Sequence, residues 1–493
     1  MDTSEQRYLR AISRYLAGPL QAAVEENKAT RQMPAVLRSI LLRLAAGTES
    51  GLPDQRSLRT VAENVIAEFE RLPPAYGSGP SALKQLREAL KEGPPSSTSL
   101  QSLLTELCIG LAVLNDPHSV ALQRRLLNEE WLRIDAIETT YQSLLADPAG
   151  EVVDVGNSGL NQTQRHALVT LLQDTCGEAA DLNIDACTVV LGGLSKQTLL
   201  VDLRNNCQLP TGIVVRLDRP ESATDMTVRA EFPLLQLLFD KGVKVPKPWA
   251  LDEGTVTGRP LMVVSRVAGK TIGDGHHVSD KSGGAKIVAS LATELAKIHA
   301  IPVADLPSSI PRSHADNVSA MSSDLEHLRQ VWNSSGRSSP IVEASFKWLQ
   351  DHLHHAGAER SLIHCDMRFH NILVDADAVA SILDWELARI GNPGFDLAYA
   401  YHHVSQLAAW DCFLDAYRSA GGTVPPRATL NFYALRAELF ALVYLTRLET
   451  GFLSGAFEKI DLVYAGINLR QHNLYLLAKR LMAILAGQNL GAV

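Results

Sequence analysis

The sequence predicts an α+β fold preceded by an all-α N-terminal domain, and three observations lead to this prediction. Apolar residues recur at helical spacing through residues 1 to about 147. Short β-branched runs separated by turn residues follow between residues 187 and 265. Beyond residue 290 the chain returns mostly to helical spacing.

The length of the chain requires more than one domain. At 493 residues it is too long for one ordinary hydrophobic core, so two or three domains are expected. We predict an all-helical accessory domain at 1–148, an antiparallel sheet with one helix at 149–265, and a mainly helical domain at 266–493.

Composition and charge exclude several classes of protein. Hydrophobic residues make up 46% and charged residues 20%, which is an ordinary globular balance. A net charge of −8 argues against a nucleic-acid partner. No basic leader and no apolar stretch of about 18 residues is apparent, so we expect no membrane partner and a cytoplasmic location. Six widely spaced cysteines without a C-x-x-C pair fit reduced thiols.

In the N-terminal region, leucines such as Leu100, Leu104 and Leu107 form stripes along one helix face. Prolines at 73–74 and 94–95 interrupt the pattern, because proline lacks the backbone donor that a continuing helix needs. The segment Ala149–Gln162 is rich in Gly, Asn, Ser and Asp, and it marks the boundary to the next domain.

An antiparallel sheet is predicted beyond this boundary. One helix follows its third strand, between Met226 and Lys241, and Pro233 should kink that helix or delay its start. The predicted strands are Cys187–Leu191, Thr198–Leu203, Ile213–Leu217 and, after the helix, Leu261–Ser265.

The most informative stretch of the sequence runs from Ser361 to Glu386. It contains three short predicted strands, at 361–363, 372–374 and 379–383, and a tight turn joins the last two. Because the ends of a hairpin face each other, Asn371 and Asp384 should lie side by side. A carboxylate and an amide oxygen at one point suit Mg²⁺.

The catalytic-loop pattern H-x-D-x-x-x-x-N of phosphoryl-transferring kinases occurs just before this hairpin, at His364, Asp366 and Asn371. In this pattern the aspartate orients the attacking hydroxyl. A loose transition state depends more on this orientation than on the strength of the base. We expect His364 to hold the loop, and Arg368 is a further candidate catalytic residue. The alternative is a turn-capping Asp366, a structural His364 and an ordinary strand-end Asp384.

A glycine-containing loop upstream is a candidate phosphate cradle. Gly192 and Gly193 let the backbone approach a phosphate, and Ser195 with neighbouring N–H groups could bind it. Lys196 points either at phosphate or at solvent. A Gly-Gly hairpin turn without function explains the same residues equally well when they are taken alone.

Further nucleotide contacts are predicted from the strands and the helix. Arg216 stays charged and can grip two phosphate oxygens with its planar fork. Glu231, in the following helix, is placed to pair with it, although a solvated glutamate is the alternative. Ser265 to Val267 would form the connector whose backbone binds adenine. Asp396 is most simply a helix N-cap, with bracing of the catalytic loop as the alternative.

Residues from about 185 to 475 resemble the aminoglycoside phosphotransferase/choline kinase superfamily, which has a two-lobed protein-kinase-like fold. The run from Val379 through LDWELARIGNPGFDLA resembles one branch in particular. That branch includes kinase domains attached to some acyl-CoA dehydrogenases and bacterial kinases of hydroxyacyl-CoA thioesters. The predicted domains at 149–265 and 266–493 would then be the N-lobe and the C-lobe.

This resemblance implies roles for individual residues. Asp366 would be the catalytic base, and Asn371 and Asp384 would bind the Mg²⁺ that accompanies ATP. Arg216 with Glu231 would replace the usual Lys–Glu pair. His370 departs from the family pattern, which more often has Asp or Gly there. Residues 1–147 weakly resemble small helical proteins that accompany such kinases, and an unrelated docking domain explains them about as well.

The sequence therefore predicts an ATP-dependent kinase of a small hydroxylated molecule, with a hydroxyacyl-CoA or similar CoA thioester as the favoured substrate. Residues 397–493 carry eight Lys and Arg against six Asp and Glu, which suits an anionic substrate better than a polycationic antibiotic. An aminoglycoside phosphotransferase and a non-catalytic nucleotide-binding scaffold are the alternatives. Self-association into a homo-oligomer is left open.

Overall fold

The computed structural model describes residues 53–70, 81–91, 97–114, 116–145, 159–190, 196–218, 226–273, 277–311, 314–454, 466 and 469–489. Within these ranges the chain is a mixture of α-helices and short antiparallel sheets, so the predicted α+β class is confirmed. The helices are α1 (Pro53–Glu70), α2 (Ser81–Lys91), α3 (Ser97–Leu114), α4 (Pro117–Leu145), α5 (Gln162–Cys176), α6 (Val228–Asp240), α7 (Gly284–His299), α8 (Asn317–Ser334), α9 (Pro340–Asp351), α10 (Gly394–Leu407), α11 (Trp410–Ser419), α12 (Arg427–Ser454) and α13 (Arg470–Leu485). The strands are β1 (Asn183–Val190), β2 (Lys196–Arg204), β3 (Gly212–Asp218), β4 (Pro248–Asp252), β5 (Leu261–Ser265), β6 (Ser361–Ile363), β7 (Ile372–Asp375), β8 (Ala378–Ile382) and β9 (Arg389–Gly391).

The chain divides into two compact units. One comprises the described residues within Met1–Val153, Met321–Leu353 and Ala434–Asn489, and the other those within Asp154–Ala320 and His354–Tyr433. The first unit thus joins N-terminal helices to segments from much later in the sequence. The three-domain division with boundaries after residues 148 and 265 stays a prediction.

The N-terminal helices of the first unit pack through their apolar stripes. Leu100, Leu104 and Leu107 of α3 are almost fully buried, as helical spacing predicts. Helix α3 packs against α1, α2, α4 and α9, and α4 also packs against α13. The described part of the N-terminal region is therefore all-α, as predicted. The prolines at 73–74 and 94–95, and residues 149–158 of the predicted boundary, lie outside the described residues.

The second unit contains a five-stranded antiparallel sheet in the order β1-β2-β3-β5-β4. Alternation along β3 places Ile213, Val215 and Leu217 in the core that also buries Leu168 and Leu172 of α5. The intervening Arg216 therefore lies on the opposite face of the sheet. Sequence reasoning missed β4, in which the proline-containing run Pro248–Asp252 forms an edge strand.

Helix α6 starts at Val228, where the Thr227 side chain accepts a hydrogen bond from the Ala230 N–H as an N-cap. Pro233 lies inside the helix, so it does not delay the start of the helix. This start places Glu231 in the first turn, where its side chain is completely buried. Helix α6 packs against β3, β4 and β5.

Two small sheets complete the part of the second unit that carries the predicted catalytic loop. Strands β7 and β8 form the predicted hairpin, and Ala376 and Asp377 turn between them with positive φ angles of 47° and 61°. Strand β6 pairs with β9, a three-residue strand that sequence reasoning did not identify. Among the described residues, no helix combines the length and the apolar content needed to cross a bilayer.

Candidate active site

The predicted catalytic loop lies between β6 and β7 and is held together by its own hydrogen bonds. Asn371 Nδ2 donates to Asp366 Oδ2 at 2.7 Å and to the Asp366 carbonyl oxygen at 3.1 Å. The Asp366 side chain keeps 21% of its surface exposed, whereas Asn371 is only 5% exposed. The carboxylate is therefore fixed in direction and still accessible to a small molecule.

His364 is completely buried, and both of its ring nitrogens have partners within the protein. Its Nδ1 accepts a hydrogen bond from the Asp366 N–H at 3.1 Å, so the ring hydrogen belongs to Nε2, which donates to the Leu383 carbonyl at 2.8 Å. The ring also packs edge-on against Trp385, with 4.7 Å between ring centroids. His364 thus ties the catalytic loop to the end of β8.

Asp396 braces the catalytic loop from the first turn of α10, and the simpler N-cap interpretation is wrong. The N-cap position belongs to Pro393, whereas the buried Asp396 carboxylate accepts the N–H groups of His364 at 2.7 Å and Cys365 at 2.8 Å. Cys365 has a positive φ of 71°, which is strained for this residue and which the two hydrogen bonds hold in place.

The pKa of the Asp396 carboxyl lies below its ordinary value. Burial raises this pKa, but a contact of 3.2 Å with His299 Nε2 and the backbone hydrogen bonds lower it further than burial raises it. The other nitrogen of His299 lies 2.8 Å from the Tyr417 hydroxyl. Asp396 therefore stays ionised and keeps two acceptor oxygens for the loop.

A histidine and an arginine side chain flank Asp366 on the catalytic loop. His370 Nε2 lies 3.6 Å from Asp366 Oδ2, and the Arg368 guanidinium lies 4.7 Å from the centroid of the Tyr399 ring. Burial raises the pKa of Asp366, but His370 and then Arg368 lower it below the ordinary range. Asp366 is therefore a carboxylate at neutral pH. The sequence departure at His370 thus supplies a partner for the candidate catalytic residue.

The structure brings the backbones of the two candidate metal ligands to the same end of the β7–β8 hairpin. The Leu383 N–H donates to the Asn371 carbonyl at 2.8 Å, and Asp384 follows directly with a positive φ of 64°. Asp384 Oδ1 accepts a hydrogen bond from Arg216 Nη2 at 2.7 Å.

The donor set of this pair fits Mg²⁺. Asn371 uses its amide nitrogen toward Asp366, so its amide oxygen and the second oxygen of Asp384 are the hard donors that remain for a cation. Mg²⁺ commonly takes one or two such protein ligands and completes its shell with phosphate and water. Within the described ranges, no group of three or more His, Cys, Asp and Glu side chains could hold a metal alone.

Arg216 joins the sheet to the hairpin. Its Nη1 donates to Glu231 Oε1 at 2.6 Å, while its Nη2 bonds Asp384. Burial lowers the pKa of Arg216, but the carboxylates of Glu231 and Asp384 raise it above its ordinary value. The planar fork of arginine allows this pair of contacts, which a lysine could not make at the same two distances.

Lys196 is buried and does not point at solvent. Its side chain is 2% exposed, and Nζ donates to the Met226 carbonyl at 3.1 Å and to Glu386 Oε2 at 3.2 Å. Nζ also lies 3.2 Å from Glu231 Oε2. Sequence reasoning missed Glu386, although it follows Asp384 by two positions in the D-W-E run that carried the family resemblance.

The predicted connector leaves the sheet after β5. Ser265 Oγ accepts from Trp249 Nε1 at 2.8 Å, and Lys270 exchanges two backbone hydrogen bonds with Val374 of β7, at 3.0 and 2.9 Å. Gly269, at a φ of 129°, lets this close approach occur. Val267 lies between these two anchors. Gly192, Gly193 and Ser195 lie outside the described residues, so the phosphate-cradling loop stays a prediction.

Comparisons with known proteins agree with this geometry. Residues 186–433 match the model of the phosphotransferase enzyme family. Human acyl-CoA dehydrogenase family member 11 is 30% identical over 176 residues, which cover 34% of this chain and 22% of the relative. The rat protein of that name is 27% identical over 187 residues, covering 36% of this chain and 23% of the relative. The matched part thus spans less than a quarter of these relatives.

A solved structure shows the same fold. A protein of Ralstonia eutropha JMP134 assigned as an aminoglycoside phosphotransferase superposes with a TM-score of 0.51 at 18% identity. The match covers 64% of this chain and 98% of the other. The two-lobed kinase-like fold expected from the sequence is thereby confirmed.

Proposed function

Because the chain belongs to the phosphotransferase enzyme family, whose model matches residues 186–433, we propose that it transfers the γ-phosphoryl group of ATP to a hydroxyl group of a small molecule. The observation that supports this proposal is the arrangement of Asp366, Asn371 and Asp384 around the open end of the β7–β8 hairpin. Asp366 accepts a hydrogen bond from Asn371, and Asp384 lies just after β8, the strand that pairs with β7. Phosphoryl transfer depends mainly on such positioning and on electrostatic stabilisation.

In this proposal Asp366 accepts the hydrogen bond of the substrate hydroxyl and aims its oxygen at the phosphorus atom. Its lowered pKa keeps it ionised at neutral pH. Such a weak base suits a loose transition state, in which the proton leaves late and orientation dominates. His364 and Asp396 would keep the loop in this orientation through the hydrogen bonds described above.

Asn371 and Asp384 would hold Mg²⁺ through the oxygens not used within the protein. When bound, the ion neutralises charge on the phosphate oxygens. Arg216 would bind the phosphates with the N–H groups that now contact Asp384, while Glu231 keeps the other side of its guanidinium in place. Ser265 and Val267 would present backbone groups to adenine.

For the acceptor, we infer an anionic small molecule, with a hydroxyacyl-CoA as the favoured class. Support comes from the charges beside Asp366, because Arg368 and His370 are cationic or can become so. A polycationic antibiotic would be repelled by these groups, whereas the phosphates of CoA would be attracted. The names of the relatives, acyl-CoA dehydrogenase family members, agree with a substrate of this class.

The test is ADP release from ATP and Mg²⁺ in the presence of a 3-hydroxyacyl-CoA, a 4-hydroxyacyl-CoA or an aminoglycoside. We expect release with a hydroxyacyl-CoA and a loss of at least about 100-fold in Asp366→Asn, which keeps the shape of the side chain but not its charge. Asp375→Asn, at an exposed position on the nearby β7, is the matched control and should leave the rate unchanged.

Two outcomes would contradict this assignment. If only aminoglycosides supported ADP release, the proposed substrate class would be wrong, although the phosphoryl transfer itself would stand. ATP binding without ADP release for any of the acceptors would favour a nucleotide-binding scaffold and would contradict the proposed transfer.

A further inference from the structure

Lys196 stands at the centre of a buried polar cluster that the proposed phosphate contacts do not explain. It is the first residue of β2, directly after the predicted phosphate-cradling loop. Three oxygens surround its ammonium group, from Met226, Glu386 and Glu231, at 3.1, 3.2 and 3.2 Å. The contacts with Met226 and Glu386 are hydrogen bonds, and the contact with Glu231 is an ion pair.

Glu231 is shared between two cations. Arg216 bonds its Oε1 at 2.6 Å, and Lys196 lies 3.2 Å from its Oε2, an oxygen that accepts no hydrogen bond within the described residues. The Glu231 side chain is 0% exposed. A carboxylate buried to this degree is strongly destabilising without a cation beside it. Either cation alone could neutralise Glu231. The second cation is therefore available to neutralise Asp384 or Glu386.

The two cations differ in how firmly they are enclosed. Arg216 is 17% exposed and also contacts Asp384, which is 33% exposed and is a candidate ligand of Mg²⁺. Lys196 is 2% exposed, and its second carboxylate partner, Glu386, is 13% exposed. Arg216 therefore faces the accessible side of the cluster, and Lys196 faces the interior.

A count of charges shows why both cations are needed. Glu231, Asp384 and Glu386 bring three negative charges together, against the two positive charges of Arg216 and Lys196. If Arg216 turns toward a phosphate, Glu231 and Glu386 would face each other without compensation unless Lys196 stays between them. Arg216 would thus be the cation that moves, and Lys196 would be the cation that stays between the two carboxylates.

Building on the proposed function, we propose that Lys196 is a positioning residue that holds Glu231 and Glu386 together, so that Arg216 can exchange Asp384 for a nucleotide phosphate. Lys196 does not itself contact the nucleotide. It fastens the start of β2 to α6 and to the segment that follows Asp384. The competing assignment, made from the sequence, is that Lys196 binds phosphate directly.

The experiment compares K196M, K196R, E386Q and the double variant K196M/E386Q in the full-length chain. Melting temperatures are measured without nucleotide, and the affinity for Mg²⁺·ADP is measured by calorimetry. We expect K196M to lower Tm by about 10 °C, because it leaves two carboxylates without their buried cation. It should also weaken Mg²⁺·ADP binding about tenfold. K286M removes an exposed lysine, 77% accessible, and should change neither value.

Recovery in the double variant decides between the two assignments. If Lys196 positions the carboxylates, then E386Q restores a large part of both the melting temperature and the affinity lost in K196M, and K196R stays close to wild type in Tm. If Lys196 binds phosphate, K196M leaves the nucleotide-free Tm unchanged and E386Q recovers no affinity, which would overturn the proposal. Should K196M fail to fold, folding of K196M/E386Q supports the proposal and its equal failure contradicts it.

These measurements separate the failure of this inference from the failure of the proposed function. Absence of nucleotide binding and of ADP release in the wild-type protein would refute the function, whatever the variants do. The nucleotide-free melting temperatures of K196M and K196M/E386Q would still show whether Lys196 holds the two carboxylates.

Discussion

Asp396→Asn is the substitution that most sharply tests how the fold positions the catalytic loop. Both carboxylate oxygens of Asp396 accept a backbone N–H, from His364 at 2.7 Å and from Cys365 at 2.8 Å. Asparagine has the same shape but only one acceptor oxygen, so its NH₂ group must face one of these two donors. One buried N–H then loses its partner, and the other loses a charged acceptor.

The magnitude follows from these two losses. A hydrogen bond to a charged group contributes about 1.5–3 kcal/mol, and an unsatisfied buried donor costs about 1–3 kcal/mol. We therefore expect Asp396→Asn to lower the free energy of unfolding by about 3 kcal/mol and Tm by about 10 °C. Because Cys365 would no longer be held at its positive φ of 71°, Asp366 should shift, and kcat should fall by about 100-fold.

The assay combines thermal unfolding with ADP release at saturating ATP. Asp411→Asn is the matched control, since Asp411 is an exposed residue in the first turn of α11 and its change should stay within about 0.5 kcal/mol. An Asp396→Asn protein with the stability and the kcat of the wild type would refute the conclusion that this carboxylate braces the loop.

Arg216, Glu178 and the ionisation of Asp396 each lead to a measurable expectation. Arg216→Lys should weaken Mg²⁺·ADP binding about tenfold in calorimetry, because lysine has no planar fork with which to bond Glu231 and a phosphate at the same time; an unchanged affinity would count against the phosphate role of Arg216. Glu178→Gln should lower Tm by roughly 5 °C, since the Glu178 carboxylate accepts the N–H groups of three successive residues, 207 to 209, and a Tm within 1 °C of wild type would contradict this reasoning. The folded-state pKa of Asp396 lies below its unfolded value, so its contribution to stability is complete above about pH 4 and is lost as the pH falls below that value. Denaturant unfolding between pH 6 and pH 3 should show this loss in the wild type and a smaller loss in Asp396→Asn, whereas equal slopes for the two proteins would show that Asp396 is not responsible.

Local features of the structure could be predicted from the sequence because they depend on neighbours in the chain. The β7–β8 hairpin was recognisable from two β-branched runs around a short polar turn, and its ends at Asn371 and Asp384 follow from the pairing of Ile372 with Ile382. Burial on one face of β3 follows from the period of two residues in a strand, which also places Arg216 on the other face.

Features that depend on contacts between distant residues could not be predicted in the same way. Arg216 and Asp384 are 168 positions apart, and Lys196 and Glu386 are 190 positions apart. Helix and strand periodicities relate only residues that are close in sequence, so they cannot predict these contacts. Asp396 has the sequence context of an N-cap, and only the packing of α10 shows that its carboxylate turns to the catalytic loop instead. Buried charge networks of this kind were therefore beyond the reach of local sequence rules.

We propose that Asp366 aims a substrate hydroxyl at the terminal phosphoryl group of a magnesium nucleotide. The most direct measurement is mass spectrometry of a hydroxyacyl-CoA incubated with ATP, Mg²⁺ and either the wild-type protein or Asp366→Asn. The wild type should convert the thioester to its phosphorylated form, and Asp366→Asn should do so at least about 100-fold more slowly. Equal rates of phosphorylation by the two proteins would contradict the proposed role of Asp366.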